Sequence, residues 1–263
     1  MSEPVTTTID VNGHSCRVWT KGTGPRLGFL AGLGGLPRWL PFLERLAESR
    51  TVIAPSLPGY PGATGHTELD SHLDWVLAVR QIVERSGLAG ADLVGASVGG
   101  AFAAEMAAIF PGHVGRLVLI APFGLFDDQE PAADPWAQRK DVLPGLMCAD
   151  AATWNELVAS PEGANSVEWP IEMTRASEAA ARAFWPLGNT RLEKRLGLIS
   201  APTLILWGDG DAILPPSYAG KFAQGINKGI NGAARVEIVE NAGHLAYLDQ
   251  PDAVARAVLG HFA

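Results

Sequence analysis

Apolar positions along the 263-residue chain follow two periods that alternate in an orderly way. Residues 5–11 and 15–20 are β-branched runs parted by Asn12-Gly13, the pattern of a hairpin. Residues 26–30 read as a buried strand that opens into a Gly-rich loop, Gly32-Leu33-Gly34-Gly35. A helix is expected over 36–48, with Leu40, Leu43, Leu46 and Ala47 on one face. A short strand at 51–54 follows, closed by Pro55-Ser56-Leu57-Pro58-Gly59. Residues 71–85 carry the clearest amphipathic stripe, formed by Trp75, Val76, Val79, Ile82 and Val83. Asp92-Leu93-Val94 predicts the next strand, 98–110 a helix stopped by Pro111-Gly112, and 117–121 a wholly apolar strand. Such alternation implies a mostly parallel sheet with helices on both faces.

The pattern breaks after Pro122. Residues 123–200 carry no strand signal; helical stretches are punctuated by Pro131, Pro135, Pro144, Pro161, Pro170 and Pro186. Alternation then resumes with a strand at 203–207, a helix at 217–222, a strand at 235–239 and a helix at 251–262. The expected organisation is one α/β domain, residues 1–122 and 201–263, interrupted by a helical insertion at 123–200 large enough to be a lid.

Composition narrows the classes. The net charge is −8 and no block of Lys or Arg occurs, which argues against nucleic acid and anionic membrane surfaces. No apolar run approaches the roughly 18 residues a membrane span needs. Cys16 and Cys148 are too few and too far apart for a disulfide framework or a metal cluster. The first residues lack a basic and an apolar region of secretory type, so the expected compartment is the cytoplasm.

Gly95-Ala96-Ser97-Val98-Gly99-Gly100 matches G-x-S-x-G, and its context is a strand before and a helix after. A Ser on such a turn exposes its hydroxyl at a helix N-terminus, which favours developing negative charge. Small residues two positions away let strand and helix approach. A Ser hydroxyl needs a base, and the base needs an acid to orient it. Of six His, five fall in polar turns or near helix ends, where surface and capping roles are usual. His244 instead lies in Asn241-Ala242-Gly243-His244, between the last strand and the last helix. Loops leaving the carboxyl ends of parallel strands share one rim, so Ser97 and His244 can converge there. The acid is expected from the same rim: Asp209 or Asp211 beyond the strand at 203–207, with Asp127 and Asp128 a less favoured position.

These motifs resemble the α/β-hydrolase fold superfamily, in its esterase and carbon–carbon-bond hydrolase branch with a helical cap. The resemblance rests on the Ser97 motif, on Pro202-Thr203-Leu204 running to Gly208 with Asp211 and Pro215, and on Asn241-Ala242-Gly243-His244. It implies an α/β fold with a mostly parallel eight-stranded sheet, helices on both faces and an inserted helical cap. It also implies Asp211 rather than Asp209 as the acid, and backbone N–H groups of Leu33 and Val98 as the oxyanion hole. The family usually has His-Gly where this chain has Ala31-Gly32, and Asp where Ser56 stands. Ser at 97 argues against the dehalogenase and epoxide hydrolase members, which use an Asp nucleophile.

The function expected is a cofactor-free, metal-free serine hydrolase acting on a small, largely apolar ester. Trp136, Trp154, Trp169 and Trp185 of the insertion are the expected substrate-binding residues, because ligand pockets are mostly apolar. Hydrolysis of a carbon–carbon bond in a vinylogous diketone is the alternative. Family members of that kind often place Trp after the catalytic His, where this chain has Leu245, and hold the substrate carboxylate with a cap Arg, for which Arg175 and Arg182 are candidates. A ligand receptor or an addition–elimination lyase on the same fold is compatible with the same residues.

Overall fold

Asn12 and Gly13 both take positive φ (54° and 85°), the conformation a two-residue hairpin turn requires, and they fold β1 (Val5–Val11) back onto β2 (His14–Lys21). The computed structural model describes residues 3–161, 163–187 and 190–263. Six further strands complete the sheet: β3 (Arg26–Leu30), β4 (Thr51–Pro55), β5 (Ala91–Ala96), β6 (Val114–Ile120), β7 (Thr203–Gly208) and β8 (Ala234–Val239). Their order across the sheet is β1-β2-β4-β3-β5-β6-β7-β8. Both pairings of β2 are antiparallel and every other pairing is parallel. β7 is buried along its whole length, as a central strand covered on both faces must be, whereas edge strand β8 leaves Val236 and Ile238 exposed.

The helices are α1 (Pro41–Ala47), α2 (His72–Arg85), α3 (Ser97–Ile109), α4 (Leu143–Met147), α5 (Ala151–Val158), α6 (Glu168–Phe184), α7 (Ser217–Asn227), α8 (Ala246–Asp249) and α9 (Pro251–His261). α1 begins five residues later than the apolar pattern over 36–48 suggested. Pro41 occupies its first turn, and Leu40 before it is held extended (φ −100°, ψ 150°), as a residue preceding Pro prefers. α2 starts at a capping box in which Ser71 and Asp74 satisfy each other's backbone N–H groups, and it buries Trp75, Val76, Val79, Ile82 and Val83. α7 runs five residues past the expected 217–222, because apolar spacing continues through Phe222 to buried Ile226 despite Gly225. Between β6 and β7 the described residues form α4, α5, α6 and two short 3₁₀ turns, with no strand.

The chain enters the parallel part of the sheet at β3, adds β4 on one side, then crosses back to add β5 on the other. β3 and β5 are therefore neighbours, with Leu30 opposite Gly95, and their following segments leave the sheet at one switch point. Open α/β sheets bind ligands at such a point, outside the carboxyl ends of the strands. The loop at 31–36 and Ser97 are adjacent for this topological reason.

The opposite end of β5 is anchored by charge. Asp92, 12% exposed, accepts hydrogen bonds from Arg50 (3.0 Å) and from both Nε and Nη2 of Arg116 (3.1 and 2.8 Å). Both guanidinium groups also donate to carbonyls of the last two residues, Phe262 and Ala263. Removing the carboxylate leaves the nearly buried Arg50 without its counter-charge, which costs far more than an exposed pair contributes. Asp92→Ala is expected to lower unfolding stability by about 3 kcal/mol in urea titration. Asp252→Ala, which breaks an exposed pair with Arg45, should change it by less than about 1 kcal/mol.

Candidate active site

Ser97 is the first residue of α3 and follows Ala96 at the end of β5. Its φ is +53°, a left-handed value uncommon for a non-glycine residue, so the turn holds local strain. Its neighbours show what sustains it. A Cβ on Gly99 would lie 2.3 Å from the Leu30 carbonyl oxygen and 2.5 Å from that of Ala31. One on Gly95 would lie 2.5 Å from the Gly99 oxygen and 2.6 Å from Ala103 Cβ. The first turn of α3 thus crosses the ends of β3 and β5 in backbone contact, and only glycine permits that distance.

His244 stands in the loop after β8, which leaves the strand through Asn241 at φ +54°. Its Nε2 is 2.8 Å from Ser97 Oγ, and its Nδ1 is 2.9 Å from Asp211 Oδ2. Asp211 follows β7; its other oxygen, Oδ1, accepts the N–H groups of Ile213 and Leu214, each at 2.9 Å. A carboxylate with these partners is an acceptor only, so Nδ1 carries the imidazole proton and Nε2 is left to accept from the Ser hydroxyl. All three side chains are buried. Asp209, two residues earlier, points elsewhere: its Oδ1 accepts the N–H of Ala242 at 3.2 Å. Hydrogen bonds from Ala242 and Asn241 hold its carboxyl below the usual carboxylate range. Asp127 pairs with Lys221 and does not meet the imidazole.

The loop after β3 lies against Ser97: a Cβ on Gly32 would come within 2.9 Å of Ser97 Cβ. Leu33 follows in this loop, and Val98 is in the first turn of α3, where N–H groups lack intrahelical acceptors. With Ala at 31, other residues hold the loop. Gly34 and Gly35 take positive φ, with the Trp154 ring against the first and Tyr60 and Pro61 against the second. Arg17 of β2 donates to the Leu36 carbonyl at 2.6 Å and to Ser56 Oγ at 3.1 Å, while Ser56 Oγ donates to the Pro61 carbonyl. Burial lowers the Arg17 pKa to about 10, with Cys16 and Glu172 pulling the other way. The contribution of Arg17 had no sequence signal, since nothing in its surroundings marks it as more than a strand residue.

Aromatic groups surround the imidazole unequally. Phe123 meets His244 edge-on at 5.4 Å between ring centroids and contacts Trp136 at 6.3 Å and Phe184 at 6.0 Å. Trp136 is half-buried, with its indole N–H bonded to the Ser177 carbonyl. Trp154 is buried on the loop at Gly34. Trp169, half-buried, spends its N–H on the Val158 carbonyl and joins α6 to α5. Trp185, the fourth tryptophan expected to bind substrate, is 58% exposed and donates to Asp134 Oδ2 at 3.0 Å. Its neighbour Phe184 takes the buried position instead, packing on Phe102 and Phe123, because α6 ends there and the chain turns outward.

Glu105, two turns along α3 from Ser97, is fully buried and was not anticipated. It accepts from Arg195 through both Nε and Nη2 (2.7 and 2.5 Å) and lies 3.0 Å from His72 Nε2. Burial acts to raise its pKa, but the bonds from His72 and Arg195 outweigh it and keep the carboxyl below its usual range. It joins α3 to α2 and to the segment preceding β7.

A sheet of this order, with a Ser at the turn between its fifth strand and third helix, defines the α/β-hydrolase class of architecture. The chain belongs to the alpha/beta hydrolase fold family, whose model matches residues 27–251. Among characterised proteins it is 27% identical over 254 residues to the dihydrolipoyllysine-residue acetyltransferase component of an acetoin cleaving system from Cupriavidus necator, covering 92% of this chain and 64% of that protein. It therefore spans less than two thirds of that relative's length. It is 24% identical over 247 residues to the human monoacylglycerol lipase ABHD6, covering 86% of this chain and 71% of that one. A solved 2-hydroxy-6-oxo-6-phenylhexa-2,4-dienoate hydrolase from a Rhodococcus species superposes with a TM-score of 0.75 at 22% identity over 99% of both chains, a likeness of fold. Among the described residues no helix is long and apolar enough to cross a membrane.

The crossing at Gly99 yields a prediction of opposite signs. Gly99→Ala places a methyl group against two backbone oxygens and should destabilise the protein by at least ~2 kcal/mol in thermal or urea unfolding. Gly220→Ala, within α7 and with nothing inside 4 Å, should be neutral or stabilise by about 0.5–1 kcal/mol.

Proposed function

We propose that the protein is a cofactor-independent serine hydrolase that cleaves a small, largely apolar carboxylic ester. The observation that carries this reading is the unbroken chain from Ser97 Oγ through the His244 imidazole to Asp211 (2.8 and 2.9 Å). His244 Nε2 takes the Ser97 proton as Oγ attacks the ester carbonyl, and the tetrahedral oxyanion is held by the N–H groups of Leu33 and Val98. Collapse expels the alcohol, which receives the proton from His244 and leaves an acyl-enzyme. Water, deprotonated by the same Nε2, attacks the acyl carbon; collapse releases the carboxylic acid and returns the proton to Ser97. Asp211 fixes the Nδ1–H tautomer and stabilises the imidazolium formed in each half.

An apolar substrate is supported by the surroundings of the imidazole, Phe123 with Trp136 and Phe184 behind it, and by Trp154 on the loop at 33–36. We assign residues 123–200 the role of a cap over Ser97. The two arginines that suit a substrate carboxylate are placed unfavourably for one. Arg182 donates to the Thr67 carbonyl at 3.1 Å, and Arg175 lines a surface groove beside His66 and Glu178. With Leu245 after the histidine, these positions favour ester hydrolysis over carbon–carbon cleavage. Two free, buried thiols, Cys16 and Cys148, agree with a reducing compartment such as the cytoplasm.

The test is covalent labelling together with a substrate panel. A fluorophosphonate should add once to the native protein and not at all to Ser97→Ala, and short-chain chromogenic esters should turn over. Turnover of a ring-fission diketone but of no ester would select the carbon–carbon reading. Absence of both would leave a receptor.

The two carboxylates after β7 should separate cleanly. Asp211→Asn offers an amide where the imidazole needs an acceptor and should cut kcat by roughly 10³- to 10⁴-fold. Asp209→Asn keeps an oxygen for the Ala242 N–H and should stay within about threefold of the native kcat. Steady-state kinetics on one ester decides between them, and the reverse ranking would move the acid to Asp209.

A further inference from the structure

The bonds around His244 point to a residue that no part of the reaction requires directly. The imidazole can meet Ser97 only if the backbone at 243–245 is fixed, and this backbone is held by groups outside the Ser–His–Asp chain. Gly243 N–H donates to Asp249 Oδ2 at 2.8 Å. The same oxygen accepts Ala149 N–H, from the turn between α4 and α5, at 2.9 Å. On the other side of the histidine, Leu245 N–H donates to the Met147 carbonyl at 2.9 Å. Contact is also direct: a Cβ on Gly243 would lie 2.8 Å from Ala149 N and from the Cys148 carbonyl carbon.

We infer that Asp249 is a positioning residue for His244, one carboxylate oxygen clamping the histidine loop to residues 147–149. The inference rests on the serine hydrolase reading. Asp249 closes α8, which begins two residues after His244, so its side chain reaches back over that helix to the residue preceding the imidazole. A carboxylate oxygen has lone pairs for two donors, and charge strengthens both bonds. No neutral apolar residue can replace it, because the N–H groups of 243 and 149 would then lose their acceptor together. Gln250 Nε2, donating to the Asn241 carbonyl at 3.1 Å, holds the start of the loop but not the residue next to the histidine. With residues 242 and 243 also packed on Gly208, the loop has the sheet on one side and the α4–α5 turn on the other. The α4–α5 turn is thereby part of the scaffold of the imidazole, although it lies about 100 residues away in sequence.

The experiment compares Asp249→Leu, which removes the acceptor, with Asp249→Asn, which keeps an oxygen without charge. Both are measured by ester kinetics, by fluorophosphonate labelling rate and by urea unfolding. Asp249→Leu is expected to lower kcat and the labelling rate by about 10- to 100-fold, as a displacement near 1 Å at the base would. KM should change by less than about threefold, because the clamp orients the base and does not line the pocket. Asp249→Asn should recover kcat to within about fivefold of native. Native rates in a folded Asp249→Leu protein would overturn the inference, as would kcat and KM shifting together, or an Asp249→Asn no better than Asp249→Leu. Failure of Asp249→Leu to fold would overturn it too, since the residue would then serve the fold before the histidine. A native protein that neither labels nor turns over would instead refute the hydrolase reading, so the two failures are distinct.

Discussion

The site depends on one backbone crossing, the first turn of α3 over the carboxyl end of β3. Gly99 there lies so near the Leu30 and Ala31 oxygens that a methyl group has no room, and Gly95 lies equally near the backbone of Gly99. This crossing sets Ser97 at positive φ, brings its Cβ beside Gly32 and aims the N-terminus of α3 at the rim. Backbone strain of this kind persists only where the surroundings over-determine it. Here a helix buried on nearly every side and two buried strands supply that constraint, so the energy stored at Ser97 is a small part of what packing of α3 contributes.

Charge buried elsewhere serves the same end. Asp92 with Arg50 and Arg116 fixes the start of β5, and Glu105 with Arg195 and His72 fixes α3 two turns beyond Ser97. Each carboxylate is met by more than one donor, which is what makes a desolvated charge tolerable. The elbow therefore sits between two ionic anchors, one on the strand that enters it and one on the helix that leaves it. Neither anchor touches the reacting atoms. Both limit how far β5 and α3 can move apart, and that separation is what the glycines allow to be small.

Period and punctuation in the sequence were enough for the sheet. Each of the eight strands overlaps a segment that alternation or an apolar run marked, although β6 begins three residues before the expected 117–121. Helix limits were less legible: proline geometry delayed α1, and glycines within α7 hid its second half. That Ser97 and His244 could meet was legible because each follows a strand at the carboxyl rim, where topology converts sequence order into proximity; the same rim offered Asp209 and Asp211 alike, and only the family resemblance separated them. Arg17 and Glu105 were not legible, since each acts through partners far away in sequence on other elements, and Asp249 was not, since it joins the nearby Gly243 N–H to that of Ala149, 100 residues away. The tryptophans show the same limit. Composition counts them, but Trp154 faces the loop at Gly34 while Trp185 faces solvent, and the difference arises where α6 ends.

The pair after β7 shows how local geometry divides two like groups. Asp209 and Asp211 are separated only by Gly210, and both are within reach of the loop that carries His244. Asp209 meets that loop at Ala242, from outside, and steadies the approach to the histidine. Asp211 turns inward because Ile213 and Leu214, both buried, bring their N–H groups under its Oδ1. That bond is an Asx-type turn, in which a carboxylate bonds backbone two and three residues on. Once Oδ1 is fixed there, Oδ2 has one direction left, toward Nδ1. Which of the two carboxylates meets the imidazole thus resides in two apolar residues downstream of Asp211: their burial draws the backbone beneath the carboxylate, and the carboxylate then fixes the tautomer of His244.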